Sequence, residues 1–316
     1  MSLTAEVLRP TPNKFSDPET TAKGEKRAIV SMKALETLWF NTGTICNLAC
    51  SHCYIESSPE NDDLIYLRTE EVVRYLDELE ELDAGQIEIG FTGGEPFMNP
   101  SFPEMLEACL QRGHRVLVLT NAMRPMMKQS DHLQNLQRRW GEQLTLRISL
   151  DHYTQSLHDE ERGEFAWQKT MPGVQWLVER GFSLQVAGRT CWPESEEEIR
   201  QGFANLFEQL DLQLDADNPA HLVLFPEMDE GRDVPEITDA CWGILDVSPD
   251  NMMCATSRMI VHRKGEPEAR IAACTLLPYD PQFDLGSSLG RANTSVSLNH
   301  PFCSEFCVLG GASCSA

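Results

Sequence analysis

The sequence predicts an α/β chain: a partial parallel (β/α)6 barrel followed by a small cysteine-rich C-terminal domain that contains a β-hairpin. Two observations predict it. Apolar, β-rich runs begin near residues 36, 87, 115, 144, 182 and 221, with helical periodicity between them, a spacing suited to right-handed βαβ crossovers. From about Pro226 the chain then turns Pro-rich and cysteine-dense, with Cys241, Cys254, Cys274, Cys303, Cys307 and Cys314. These shifts divide the chain into an extended or disordered N-terminal arm over 1–33, the barrel over 34–225 and the cysteine-rich unit over 226–316.

The arm mixes Pro, Thr, Lys and Glu with little periodicity, the composition of a solvated lead. "ALETLWFN", Ala34 to Asn41, is β-branched and aromatic and reads as the first strand. "TEEVVRYLDELEELD" places Val72, Val73, Leu76, Leu79 and Leu82 on one helical face, with Thr69 as N-cap and acids in the first turn. The unit then repeats. A strand over Ile87 to Thr92 leads to helix "SFPEMLEACLQRG", strand "RVLVLTNA", a helix near 127–140 and strand "LTLRISLD". Helix "AWQKTMPGVQWLVERG", strand "SLQVAGRT", helix "SEEEIRQGFANLFEQL" and strand "HLVLF" complete the series. Beyond it, "SRMIVHRKGEPEARIAACTLLP" reads as a hairpin of Met259 to Arg263 and Arg270 to Cys274 around a Lys-Gly-Glu-Pro turn.

Chemistry concentrates where the strands end. Cys46, Cys50 and Cys53 in "TGTICNLACSHCY" follow the first strand, and α/β barrels place their chemistry at strand C-termini. The CxxxCxxC spacing holds a four-iron cluster by three corners and leaves the fourth iron without a thiolate. Structural zinc is the alternative, but it takes four ligands in tight pairs and no second CxxC lies nearby. "IEIGFTGGEPFMNP" runs a strand into Gly93, Gly94, Glu95 and Pro96. Alone this is a turn, yet two residues without side chains admit a close ligand while a carboxylate accepts from an ammonium. Later strands end in Thr120 and Asn121, Ser149 and Asp151, and Arg189 and Thr190, each of which could instead cap a helix or loop.

CxxxCxxC after the first strand and GGEP after the second resemble the signature of the radical S-adenosylmethionine (radical SAM) family. The resemblance implies that Cys46, Cys50 and Cys53 hold a 4Fe–4S cluster whose open iron is chelated by S-adenosylmethionine. An electron from the cluster then breaks the sulfonium bond, and the resulting 5'-deoxyadenosyl radical abstracts a substrate hydrogen. It further implies a cofactor pocket of His52, Tyr54, Gly93, Gly94, Glu95, Pro96, Asn121, Ser149, Asp151 and Arg189. In that pocket Glu95 meets the amino group, Ser149 and Asp151 the ribose or carboxylate, and Arg189 the carboxylate, a natural partner for a guanidinium.

His52 stands where the family has an aromatic residue. "SLDHYTQSLHDEERGEFAWQ", with His158, Asp159, Arg162 and Gly163, is similar to a segment of the subgroup that bears an extra cluster domain. His152 replaces the usual glycine there and is expected as a solvent-facing loop residue, with substrate contact as the alternative.

The hairpin between Cys254 and Cys274, followed by "HPFCSEFCVLGGASC", resembles SPASM or twitch auxiliary-cluster domains. That implies a second 4Fe–4S cluster held by four of Cys254, Cys274, Cys303, Cys307 and Cys314, with zinc as the alternative for such soft ligands. Cys109, Cys191 and Cys241 read as buried small hydrophobes.

Composition narrows the class. Eleven cysteines are an odd number, and with no signal peptide and no apolar run of membrane length they indicate reduced thiols in a cytoplasmic enzyme. Net charge is −23, from 26 basic and 49 acidic residues, and no local basic patch offsets it, which disfavours nucleic acid and membrane as partners. The expected partners are a small-molecule or peptide substrate and a reductase such as flavodoxin or ferredoxin.

The expected function is hydrogen abstraction from a small metabolite, with the auxiliary cluster anchoring substrate or passing an electron. Modification of a ribosomal peptide is the alternative, placed second because no peptide-recognition wing is legible at the N-terminus. A non-catalytic iron–sulfur electron carrier would not need Gly93 to Glu95. A GTP-cyclising enzyme is alike in outline, but this tail reads "GGASCSA" rather than ending in a glycine pair.

Overall fold

The structure, a computed structural model, describes residues 13–229 and 231–312. Its strands are β1 (Ile29–Val30), β2 (Thr37–Asn41), β3 (Glu88–Thr92), β4 (Arg115–Thr120), β5 (Leu144–Ser149), β6 (Ser183–Arg189), β7 (Leu222–Phe225), β8 (Ser257–Val261), β9 (Arg270–Ala272) and β10 (Val296–Ser297). β2 to β7 pair in parallel and in sequence order, so the six expected strands form the expected unclosed barrel.

The hairpin is present as β8 and β9, but it continues the same sheet. β8 pairs in parallel with β2, giving an eight-stranded order β7-β6-β5-β4-β3-β2-β8-β9. The reason is visible in its sequence, SRMIV. Every residue of β8 is buried, as required of a strand covered on both faces.

The helices are α1 (Thr69–Glu81), α2 (Phe102–Gln111), α3 (Arg124–Met127), α4 (Ser130–Trp140), α5 (Gln155–Arg162), α6 (Ala166–Glu179) and α7 (Glu196–Gln209). Three details differ from expectation. α1 is capped by Arg68 rather than Thr69, with the Glu71 carboxylate accepting from the Arg68 backbone N–H at 3.0 Å. The helix near 127–140 is split into α3 and α4. α5 was not expected at all. It is a helix of 8 residues stopped by Gly163 at φ +96°, too short and polar to announce itself by periodicity.

Strand alternation sorts the core into two layers. Leu38, Phe40, Ile89 and Phe91 face the helices, where Phe91 stacks on Phe40 and meets Phe102 edge-on. Trp39, Leu117, Ala187, Val223 and Met259 face the other way, and the C-terminal segment with Cys254, Cys303 and Phe306 packs against them. The described part of the N-terminal arm is pinned to this same segment. β1 pairs antiparallel with β10, and fully buried Arg27 is ion-paired with Glu236 at 2.6 Å. The C-terminal ends of the parallel strands therefore open onto one rim, with the cysteine-rich segment beside it.

Candidate active site

The loop after β2 is built by polar contacts that fix its start. Asn41 accepts from the Gly43 N–H at 3.0 Å, and the Thr42 hydroxyl donates to the Thr92 carbonyl at the end of β3. Buried Asn99, which belongs to the GGEPFMN run, donates to the carbonyls of Thr42 and Leu67 at 3.0 and 2.9 Å. Gly93 and Gly94 serve this loop directly. Gly93 has φ +141°, and a side chain on Gly94 would lie 2.3 Å from the Ile45 carbonyl oxygen. The glycines thus bring two backbone segments together and also line the cavity, so the chain itself is part of the close approach expected for a ligand.

That cavity, of about 180 Å3, gathers most of the expected site. Cys46, Cys50 and Cys53 line it with His52, Tyr54, Gly93, Gly94, Asn121, Ser149, Asp151 and Arg189. Glu95 and Pro96 are not in its lining. Glu95 is 1% exposed and accepts from the Thr120 hydroxyl at 2.9 Å, the Asn121 N–H at 2.8 Å and the Phe97 N–H at 3.3 Å. Three of a carboxylate's roughly four acceptor positions are thereby filled from within the protein. Burial pushes the Glu95 carboxyl up to about 7.

Two acid–arginine pairs flank the cysteines. Asp151 receives Arg162 in bidentate fashion at 2.5 and 3.0 Å. Glu161 accepts from the His52 backbone N–H at 2.9 Å, meets the His52 ring at 2.7 Å and touches Arg189 at 3.4 Å. Arg189 donates to the His52 carbonyl at 2.6 Å and lies over the Tyr54 ring at 4.8 Å. Its Nε and Nη2 are buried without a partner. Those two donors form the edge of a guanidinium that matches a carboxylate, so the site has a ready place for the carboxylate of an amino-acid-like ligand. Glu161 and Arg162 are the residues the sequence reading did not place in the site. Both lie on α5, and their signal was the acidic "HDEER" run itself.

Burial pushes the Cys46 thiol up to about 12 and raises the Cys50 thiol as well. Burial acts the same way on the core thiol of Cys109, so what sets the three rim cysteines apart is their shared place in the cavity wall. His152, expected at the surface, is 1% exposed and held between Thr154 at 2.9 Å and Glu194 at 2.8 Å. It ties the loops after β5 and β6 together.

The family comparison agrees with the geometry. The profile described as Radical SAM superfamily matches residues 40–203. The chain belongs to that superfamily. Its cofactors are accordingly a 4Fe–4S cluster and S-adenosylmethionine.

Among curated relatives, the antilisterial bacteriocin subtilosin biosynthesis protein AlbA of Bacillus subtilis (strain 168) is 33% identical over 143 residues, 45% of this chain and 30% of that protein. An AdoMet-dependent heme synthase of Oleidesulfovibrio alaskensis is 31% identical over 145 residues, 45% of this chain and 34% of that protein. The matched segment thus spans about a third of either relative. Streptococcus suis SuiB bound to S-adenosylmethionine superposes with a TM-score of 0.59 at 15% identity, covering 81% of this chain and 64% of that one. anSMEcpe with bound AdoMet gives 0.58 at 12% identity, covering 81% and 79%. Both superpositions show a shared fold.

The C-terminal cysteines also converge. Cys254 precedes β8, Cys274 follows β9, and Cys303 and Cys307 lie in the π-helical turn Cys303–Val308. All four line one small cavity of about 20 Å3 with Phe302 and Leu276. Cys314 lies outside the described residues. Of the three cysteines expected as buried hydrophobes, Cys109 is fully buried on the inner face of α2, whereas Cys191 and Cys241 are only partly buried. Cys191 sits on the rim beside Arg189, and Cys241 accepts from the Thr238 N–H at 3.3 Å. No helix among the described residues is long and apolar enough to cross a membrane.

Proposed function

We propose that this chain is a cytoplasmic radical SAM enzyme that removes a hydrogen from a peptide substrate, receiving electrons from a donor such as flavodoxin or ferredoxin. The observation that carries the chemistry is the convergence of Cys46, Cys50 and Cys53 with the unpartnered edge of Arg189 in one cavity. When bound there, the cluster and S-adenosylmethionine together supply reductive sulfonium cleavage and a hydrogen-abstracting group.

The chain's own residues do the rest. Arg189 orients the ligand carboxylate, Asn121 and Ser149 flank the nucleoside side, and buried Glu95 acts from behind the cavity by holding Thr120 and Asn121 in place. Trp39, Leu119, Phe225 and Leu276 line the remaining wall and exclude water from the reacting atoms. Cys254, Cys274, Cys303 and Cys307 are the proposed ligands of an auxiliary 4Fe–4S cluster.

The peptide reading is favoured over the small metabolite by a second, open cavity of about 420 Å3. It shares His52, Cys53, Tyr54 and Leu276 with the first and is bordered by Glu56, Asp229, Tyr279 and Asp280. A groove that leads outward from the reacting centre suits a chain better than an enclosed metabolite. AlbA, a bacteriocin biosynthesis protein, and SuiB, solved with precursor peptide SuiA, point the same way. The heme synthase relative supports the metabolite reading.

The test is co-expression with short peptides encoded beside the gene, followed by mass spectrometry. A mass loss matching hydrogen removal supports the peptide reading. Unchanged peptides, alongside 5'-deoxyadenosine formation stimulated by a metabolite from neighbouring biosynthetic genes, overturn it.

A further inference from the structure

Arg258, the second residue of β8, is 2% exposed, yet among the described residues its hydrogen bonds all go to backbone carbonyls. Its Nε donates to Ala292 at 3.0 Å, its Nη1 to Cys254 at 2.6 Å and Ser257 at 2.7 Å, and its Nη2 to Thr294 at 2.9 Å. Among the described residues no carboxylate is ion-paired with it. Other buried arginines near the two cysteine groups are matched: Arg27 by Glu236, Arg162 by Asp151 and Arg189 by Glu161.

A buried cation without a counter-ion is costly, and carbonyl dipoles answer only part of its charge. Its Nη1 holds the Cys254 carbonyl, and Cys254 lines one small cavity together with Cys274. A cubane held by four thiolates is anionic, and its charge becomes more negative when it takes an electron.

We propose that Arg258 is a positioning residue of the auxiliary centre: it fixes the Cys254 backbone by a hydrogen bond and, as the unmatched positive charge beside two of the ligands, raises that centre's reduction potential. The inference rests on the reading of Cys254, Cys274, Cys303 and Cys307 as cluster ligands. The charge favours the reduced, more negative state, so the auxiliary centre becomes an electron acceptor relative to the same cluster without the arginine.

The experiment is an anoxic redox titration of the iron-loaded full chain, followed by electron paramagnetic resonance, with iron counted per chain. Arg258→Gln shifts the auxiliary centre about tenfold toward its oxidised form at a given potential, a midpoint lowered by about 59 mV for a one-electron couple. Arg258→Lys, which keeps the charge, restores most of the shift. Asn293 is exposed and lines, with Arg258, a separate cavity of about 220 Å3, so Asn293→Asp brings a carboxylate toward the guanidinium without removing its hydrogen bonds. It lowers the midpoint in the same direction should the Arg258 variants fail to fold. The signal of the Cys46, Cys50, Cys53 cluster stays where it was and serves as the internal reference.

A merely structural role would lower iron content without moving the midpoint. Full iron with an unmoved auxiliary midpoint in the variants that fold overturns the inference. Wild-type iron corresponding to one cluster only overturns the auxiliary-cluster reading and the inference with it.

Discussion

Replacing Arg189 by Lys separates the charge at the rim from its geometry. In the wild type, Nη1 is committed to the His52 carbonyl at 2.6 Å while Nε and Nη2 are buried and unpartnered. A ligand carboxylate seated on that edge gains two charge-assisted hydrogen bonds, each worth about 1.5–3 kcal/mol. Lysine can replace the bond to His52 or reach the carboxylate, but it has no fork with which to do both. With the amine held on the His52 carbonyl both bonds to the ligand go, and at the low end for each the loss is about 3 kcal/mol, on the order of a hundredfold in affinity for S-adenosylmethionine. Arg189→Leu should lose at least as much. The assay is anoxic equilibrium binding of S-adenosylmethionine to iron-loaded protein, with iron counted in parallel so that a displaced cysteine loop is not mistaken for a lost ligand contact. If Arg189→Lys with full iron binds within about threefold of wild type, less than 1 kcal/mol, the carboxylate is not held there.

Three further outcomes follow from particular contacts. Gly94→Ala puts a methyl 2.3 Å from the Ile45 carbonyl oxygen, so the cysteine loop must shift. The protein should lose about 1–3 kcal/mol of stability in denaturant titration and fail to retain iron at Cys46, Cys50 and Cys53. Cys303→Ser should remove about half of the iron while 5'-deoxyadenosine formation in the absence of substrate survives; loss of all iron would show that the two cysteine groups are not separate sites. His158 is fully buried, and burial pushes its imidazole down to about 4 from the ordinary 6.5. Because the folded value lies below the unfolded one, the unfolded chain takes the proton first. Stability present above about pH 6.5 is therefore lost progressively toward about pH 4, by up to about 3 kcal/mol. His158→Phe should flatten that loss, leaving the share due to His300, whose imidazole is also pushed down to about 4; equal acid losses in wild type and variant would refute the assignment.

The barrel was legible because each of its strands carries a buried apolar run and each long helix an amphipathic face, signals that local sequence sets directly. The three rim cysteines and Gly93–Gly94 were legible because spacing alone constrains them. Three features were less accessible, each because it depends on partners distant in sequence. β8 was recognisable as a hairpin strand, but its parallel pairing with β2 joins residues more than two hundred positions apart. Glu161 and Arg162 belong to a polar helix with no periodic signature, and their roles appear only once α5 is laid against the cysteine loop. His152 looked like a loop residue because the sequence does not reveal that Glu194, at the end of another strand's loop, comes within 2.8 Å of it.

The account rests most directly on whether Cys46, Cys50 and Cys53 hold a centre that cleaves S-adenosylmethionine. Anoxic, iron-loaded protein treated with dithionite and S-adenosylmethionine should release 5'-deoxyadenosine, and the triple alanine variant at those positions should release none while keeping the C-terminal iron. Wild-type protein with its full iron that yields no 5'-deoxyadenosine, or a triple variant that still yields it, would contradict the account.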